Sequence, residues 1–163
     1  MTRKLLDLSG IGQDRLRLAW VSSAEAQRFA QIATEVNTTI KKQGAFDSLA
    51  FEIELEAALM TVSAENLRWL VSKEIKITAK GDVYGRKWDT GSYESIMDSV
   101  LEREYHKNLI YLAIQQGNPS VRQISDRTGL ALQQVSYLLA DLEKTNRVAF
   151  KTMEDSKPVF AVL

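Results

Sequence analysis

The sequence has 163 residues, 21 basic and 21 acidic residues, one histidine and no cysteine. This length allows one domain or two small ones, and the balanced charge provides no overall attraction to nucleic acid or to an anionic membrane. The absence of cysteine excludes disulfides, thiolate zinc sites and cysteine-ligated iron-sulfur clusters within these residues, and a single histidine disfavours a histidine-based catalytic triad.

The first segment, residues 1–44, has the pattern of a short helix, a turn, one strand and a second helix. Leu16, Leu18 and Trp20 alternate with other residues, and a period of two predicts a strand. A lone strand leaves its backbone donors and acceptors unpaired on both edges. The segment is therefore a fragment of an α/β fold, and its strand needs partners that residues 1–44 do not supply.

Local signals define the second helix of this segment. Ser22 and Glu25 have the spacing of a capping box, and apolar residues then recur at helical spacing. Gly44 marks the end of the helix.

The second segment, residues 45–102, is predicted to be a helical linker region. Two apolar stripes follow the expected N-caps Asp47 and Ser63 and indicate a pair of helices. Residues 73–92 are predicted to form a short strand or an irregular loop, and a further helix begins near Ser92. The aromatic residues of these first two segments are predicted to pack in the core or to anchor the loop: Trp20, Trp69, Tyr84 and Trp88.

The third segment, residues 103–163, has the element order of a winged helix-turn-helix domain. A helix ends near Gly117, Ser120 starts a short helix in capping-box form, and Gly129 turns the chain into a longer helix. Two apolar runs around a polar turn at residues 154–156 then predict a hairpin. The whole chain is thus predicted to be α+β and mostly helical.

Winged helices often bind DNA, but the charges here are unfavourable for that role. The longer helix exposes Gln133, Gln134 and Tyr137 and has no Lys or Arg before Lys144. Residues 103–163 contain eight basic and six acidic residues, whereas affinity for DNA comes largely from phosphate contacts. The sequence therefore favours a protein-contact or structural module over a DNA reader.

No residue pattern predicts an active site. Glu52, Glu54 and Glu56 are typical of solvated charge near a helix start, and Gly10 to Gly12 form a turn rather than a dinucleotide fingerprint. His106 is expected to be exposed. No catalytic, cofactor-binding or metal-binding residue is predicted, and no apolar stretch approaches the roughly 18 residues of a membrane span. We expect a cytoplasmic protein.

The run from Ile11 to Ala30, IGQDRLRLAWVSSAEAQRFA, resembles the C-terminal part of the delta, iron-sulfur subunit family of methyl-viologen-reducing hydrogenase. The family pattern is Gly-Ile, polar residues, Arg, alternating apolar residues, Trp, Ser, Ala, Glu, Gly and Phe-Ala. Ala26 stands where the family usually has Gly. The resemblance covers about a quarter of the chain. The run Val83-Tyr84-Gly85 and the winged-helix end also resemble longer family members.

This resemblance implies that residues 1–44 are the C-terminal fragment of a flavodoxin-like domain. In the family, the preceding part of that domain carries a cysteine-rich cluster site, and no cluster ligand can be carried over to this cysteine-free sequence. Two hypotheses follow. Either a separate polypeptide supplies the cluster half and the strand completes its sheet, or Met1 is an internal start in a longer reading frame, which a selenocysteine codon mistaken for a stop would explain.

The function implied by the resemblance is that of a noncatalytic, cluster-free subunit of an anaerobic electron-transfer complex of the hydrogenase and heterodisulfide-reductase type. Its expected partners are iron-sulfur subunits and a heterodisulfide-reductase-like flavin subunit, which would carry the clusters and the flavin in a hetero-oligomer. The residues expected to make the protein contacts are Leu16, Leu18, Trp20, Gln133, Gln134 and Tyr137. The alternative is a winged-helix transcriptional regulator that binds DNA.

Overall fold

The computed structural model describes residues 1–163 and is mostly helical, which confirms the predicted α+β class. It contains seven α-helices, a 3-10 turn at Gln13–Arg15, a π-helical turn at Lys76–Lys80 and one antiparallel hairpin. None of the helices is both long and apolar enough to cross a membrane. The bounds are α1 Thr2–Leu8, α2 Ala26–Gln43, α3 Glu52–Ser63, α4 Glu65–Ile75, α5 Thr90–Gln115, α6 Val121–Thr128, α7 Leu132–Lys144, β1 Val148–Glu154 and β2 Lys157–Val162.

Helix α5 is the central element of the fold. The side chain of Asp89 caps its first turn by accepting a hydrogen bond of 2.9 Å from the backbone N–H of Ser92. The sequence predicted two helices here, one near Ser92 and one from about residue 105, but α5 is continuous through residues 102 and 103. The proposed division at that point into a linker and a C-terminal domain stays a prediction.

Two apolar clusters form the core, and α5 contributes to both. The first cluster joins α1, α3 and α4 to α5 and consists of Leu5, Ile53, Ala57, Leu67, Leu70, Tyr93, Met97, Leu101, Tyr105, Leu109 and Leu112. The second joins the end of α5 to α6, α7 and β1 and consists of Ile110, Ala113, Ile114, Ile124, Val135, Leu138, Leu139, Leu142 and Val148. At about 25 cal/mol per Å² of apolar surface, burial of these side chains is the main favourable contribution to folding.

The predicted order of elements after α5 is observed. Ser120 and Gln123 form a complete capping box at the start of α6, and Gly129 ends this helix in the left-handed conformation. The hairpin β1–β2 pairs Val148 with Val162, and Val159 also forms an isolated bridge with Ser120. The assignment of these elements to a winged-helix domain stays a prediction.

A cluster of charged side chains joins α5 to α7. The Nζ of Lys107 lies 2.9 Å from Oε1 of Glu104 and 3.5 Å from Oδ2 of Asp141, and Arg103 reaches the same Asp141 carboxylate at 3.1 Å. Burial by itself raises the pKa of Asp141, but the hydrogen bond from Arg103 and the charge of Lys107 outweigh burial and lower it. The carboxylate is therefore held ionised at the contact between the two helices.

Several predictions about the aromatic residues and the loop are wrong. Trp20 and Trp69 are exposed instead of packed in the core, Tyr84 is also largely exposed, and Trp88 is about half exposed. Trp69 follows Leu67 by two positions and thus lies away from the buried face of α4. Between residues 73 and 92 the predicted strand is absent: α4 continues to Ile75, the π-helical turn follows, and residues 81–89 form the irregular loop that was the alternative.

Candidate protein interface

The segment predicted to be a strand, residues 16–21, pairs with no other strand. Leu16 has extended backbone angles, but neither a helix nor a ladder forms before Ser22. The backbone N–H and C=O groups of residues 17–21 make no hydrogen bond with any other part of the chain. The predicted strand is therefore absent from this structure. The reason is the one that the sequence suggested, namely that the chain supplies no partner strand.

Helix α2 lies beside this segment and contributes nothing to the core, since none of its residues is buried. An ion pair of 2.7 Å between Arg17 Nη2 and Glu35 Oε2 joins the segment to the helix. Between them lies an open groove of about 840 Å³, whose apolar lining includes Ile32 and Val36. The groove is thus formed by two elements that leave an apolar face uncovered.

The apolar side chains on these two elements are unusually exposed. Trp20 is 94% exposed and Leu18 is 75% exposed, whereas Leu16 is only partly exposed. Phe29 on α2 is also exposed. Isolated exposed apolar residues are common on protein surfaces, but a contiguous apolar patch is typical of an interaction site. We call residues 16–21 together with α2 the N-terminal docking surface.

Contacts at the base of the docking surface connect it to the helical core. Leu5 of α1 is buried in the first apolar cluster, and Arg3 forms a long ion pair of 3.9 Å with Asp14. The guanidinium of Arg15 lies 5.2 Å from the ring centroid of Phe46, a cation–π arrangement. The start of the segment is therefore held, while Leu18 and Trp20 project from the molecule.

The second predicted contact face lies on α7, and its three residues differ in how far their side chains are exposed for contact with a partner. Gln133 is exposed, and the ring of Tyr137 is exposed on one side and lies 5.4 Å from the guanidinium of Arg103 on the other. Gln134 is partly buried, and its Nε2 lies 2.9 Å from Nδ1 of His106. The Gln134 amide thus already has a partner within the chain.

The prediction that His106 is exposed is wrong. The ring is partly buried at the contact between α5 and α7. Burial lowers the pKa of His106, although the negative charge of Glu102 acts in the opposite direction. Because the Gln134 amide donates its proton, Nδ1 of His106 is the acceptor, which fits a neutral ring. His106 is therefore part of the packing between the two helices.

Sequence reasoning missed a second concave surface, which is formed by the end of α4 and the following loop. Trp69, Trp88 and three cationic side chains line it. The signal that could have found it is the local charge, because residues 73–88 contain five basic and two acidic residues in a chain with no net charge.

The fold and the docking surface define a mostly helical α+β protein with an unpaired segment near its N-terminus. A family model for the methyl-viologen-reducing hydrogenase delta subunit matches residues 1–44, which confirms the resemblance for that part of the chain. The iron-sulfur subunit of the F420-non-reducing hydrogenase from Archaeoglobus profundus is 44% identical over 46 residues. That match covers 28% of this chain and 34% of the relative, so it spans about a third of the relative's length. No solved structure is significantly similar to this chain.

The residues of this chain do not fit an iron-sulfur cluster of the kind that the relative's name implies. Such clusters are held by cysteine thiolates, with histidine replacing some of them in one class. The sequence has no cysteine and one histidine, and no three His, Cys, Asp or Glu side chains converge as metal ligands would. The family match coincides instead with the docking surface.

Proposed function

We propose that this protein is a noncatalytic subunit of a hydrogenase-type electron-transfer complex. In this proposal the N-terminal docking surface binds a neighbouring subunit or domain that carries an iron-sulfur cluster, and flavin resides in a further heterodisulfide-reductase-like subunit. The role of the chain is to hold cofactor-bearing neighbours in a fixed arrangement, because proteins contribute position and environment to redox cofactors. Support comes from the match of residues 1–44 to the delta-subunit family.

The observation that carries the proposal is the unpaired backbone of residues 17–21 beside the exposed Leu18 and Trp20. An extended segment with free N–H and C=O groups adds to the edge of a sheet in another polypeptide, and its alternating side chains enter pockets on that partner. Residues 17–21 have such free groups, and Leu18 and Trp20 alternate with Arg17 and Ala19 along the segment. In the flavodoxin-like arrangement they would add a strand to the partner's sheet, and α2 would cover one face of that sheet.

The C-terminal elements are proposed to be a winged helix that makes protein contacts through Gln133 and Tyr137. Its longer helix presents no Lys or Arg before Lys144, and the hairpin turn carries Glu154 and Asp155. Such a surface is poor in phosphate contacts. These charges favour protein contact over the alternative function of transcriptional regulation.

The test compares assembly of the unmodified chain with that of two single variants. Each tagged protein is expressed in the source organism, purified under anaerobic conditions, and analysed for co-purifying polypeptides, iron and flavin. Trp20→Asp places a charge at the centre of the docking surface, so we expect loss of the partner subunits. Leu59→Asp is the matched control, because Leu59 is 66% exposed on α3 and lies outside that surface.

Two results would contradict the proposal. One is recovery of iron-sulfur and flavin subunits with Trp20→Asp at the level of the unmodified protein. The other is equal loss with Leu59→Asp, which would show that any added charge on the surface disturbs assembly. Mass spectrometry of the same samples also shows whether the cluster-bearing part is a separate polypeptide or is covalently continuous with this chain.

A further inference from the structure

A cavity of about 580 Å³ lies between the end of α4, the π-helical turn and the loop over residues 81–88, away from the docking surface. Its walls include the rings of Trp69 and Trp88 and the cationic side chains of Lys73, Lys76 and Arg86. Pockets for small ligands typically have volumes of about 300–1,000 Å³. The cavity is therefore large enough for a ligand of the size of a mononucleotide.

Backbone and side-chain hydrogen bonds fix the loop that forms one wall. Oδ1 of Asp82 accepts hydrogen bonds of 2.8 Å and 2.9 Å from the backbone N–H groups of Tyr84 and Arg86. The backbone N–H of Trp88 donates to the carbonyl of Ile77 at 3.1 Å, so the end of the loop is tied to the π-helical turn. Single π-helical turns in helices occur frequently at functional sites.

Gly81 is required at the start of this loop. Its φ is +84°, and a Cβ atom at this position would lie 2.9 Å from the carbonyl oxygen of Arg86. Any other residue would push the two ends of the loop apart. The shape of the wall thus depends on a glycine that the sequence places between Lys80 and Asp82.

The charges in the cavity are not balanced. The carboxylate of Asp82 is paired with Nε of Arg86 at 2.7 Å, whereas neither Lys73 nor Lys76 has a carboxylate within 4.0 Å. Two ammonium groups with no acidic partner attract an anion, and phosphate oxygens accept hydrogen bonds from lysine. The cavity therefore combines positive charge with aromatic surface.

We infer that this cavity binds a nucleotide, that is, a planar heteroaromatic ring carrying phosphate. The ring would stack on Trp69 or Trp88, since aromatic side chains stack with bases irrespective of base identity. The phosphates would contact the ammonium groups of Lys73 and Lys76. Adenine nucleotides and flavin mononucleotide share this chemistry, and the test distinguishes them.

Isothermal titration calorimetry of the isolated 163-residue chain measures binding without any partner, so its result is independent of the proposed assembly. The probes are ATP and FMN, with adenosine, riboflavin and tripolyphosphate as their half-ligands. We expect ATP, FMN or both to bind with a Kd below about 1 mM, and the matching half-ligands to bind at least about tenfold more weakly. The nucleotide with the lower Kd, ATP or FMN, shows which ring the cavity prefers.

Two double variants separate the two halves of the site. Lys73→Gln with Lys76→Gln is expected to weaken nucleotide and tripolyphosphate binding at least about tenfold and to leave adenosine binding unchanged. Trp69→Leu with Trp88→Leu is expected to weaken nucleotide and adenosine binding. Lys144→Gln with Lys151→Gln removes the same charge from exposed positions elsewhere and should retain full binding. Thermal melting followed by circular dichroism checks that each variant is folded.

Three outcomes would overturn the inference. The first is that neither ATP nor FMN binds with a Kd below about 1 mM. The second is tripolyphosphate binding as tightly as either nucleotide, which would indicate general attraction of anions. The third is equal weakening by the Lys144 and Lys151 control. If the tryptophan variant does not fold, the lysine variant and the half-ligands still decide the matter.

Discussion

The side-chain amide of Asn108 on α5 donates a hydrogen bond of 3.0 Å to the hydroxyl of Thr61 on α3, and both residues are buried. The Thr61 hydroxyl in turn donates to the carbonyl of Ala57 at 2.7 Å. The Asn108 oxygen accepts a hydrogen bond of 2.9 Å from Arg147, whose guanidinium lies 4.7 Å from the ring centroid of Tyr111. One amide therefore connects the first apolar cluster to the base of the hairpin.

Replacement of Asn108 by Leu is predicted to reduce the free energy of unfolding by about 2 kcal/mol, because Thr61 and Arg147 each lose a partner in a largely dry environment. Urea denaturation followed by circular dichroism measures the change. Asn37→Ala, at an exposed position on α2, is the control and should change stability by less than about 0.5 kcal/mol. Equal stability of the Asn108 variant and the unmodified protein would show that these hydrogen bonds contribute nothing.

Asp141 is predicted to stabilise the protein in a manner that depends on pH. Its pKa in the folded chain is below the ordinary value of 3.8, so its stabilising contribution is present above that pH and is lost as the pH falls through the lowered pKa. We expect Asp141→Asn to cost about 1–2 kcal/mol at pH 7 and progressively less below pH 3.8.

Asp155→Asn is the control for this experiment. Asp155 lies in the exposed hairpin turn at a positive φ of 47°, which Asn also tolerates, and it forms no ion pair. Chemical denaturation across this pH range measures both variants. A cost for Asp141→Asn that stays the same at low pH would rule out the ionised carboxylate as its source.

His106 is predicted to titrate below its ordinary pKa of 6.5, because burial favours the neutral ring. As the unfolded chain takes up the proton first, stability falls as the pH decreases from 6.5 toward the folded pKa. The sequence contains one histidine, so its proton resonance in an NMR titration is unambiguous. His106→Gln removes the titrating group and should abolish this part of the pH dependence. A measured pKa at or above 6.5 would contradict the burial of the ring between α5 and α7.

Binding of the protein to duplex DNA is predicted to be weak and independent of sequence. The α7 face lacks the cationic residues that release counterions, so little salt-dependent affinity is available. Fluorescence anisotropy with labelled random and genomic duplexes at two salt concentrations measures this directly. Tight, salt-sensitive binding to a particular sequence would instead support the transcriptional regulator.

Local signals in the sequence predicted those features that depend on a few neighbouring residues. The Ser120 capping box and the turn at Gly129 were predictable because their hydrogen bonds and backbone angles are determined within one turn of helix. Continuity of α5 was also readable, since Met97, Leu101, Tyr105 and Leu109 keep helical spacing without an intervening Gly or Pro. The prediction of two separate helices was therefore wrong.

Features that depend on distant residues were not predictable in the same way. Alternation at Leu16, Leu18 and Trp20 indicated a strand, but a strand exists only with a hydrogen-bonded neighbour, which this chain does not provide. Trp88 was predicted to be a packing anchor, yet its position depends on how the loop after Gly81 returns to the π-helical turn. The local excess of basic residues over 73–88 marks the region, but the shape of the cavity is a tertiary feature.

Hydrogen–deuterium exchange shows directly whether residues 17–21 pair with a sheet in a partner. Amides without hydrogen bonds exchange rapidly, and amides in a β-ladder are protected. The measurement compares these residues in the isolated chain and in the complex purified from the source organism. We predict rapid exchange in the isolated chain and strong protection at alternate amides in the complex. Equally rapid exchange in both states would contradict this pairing.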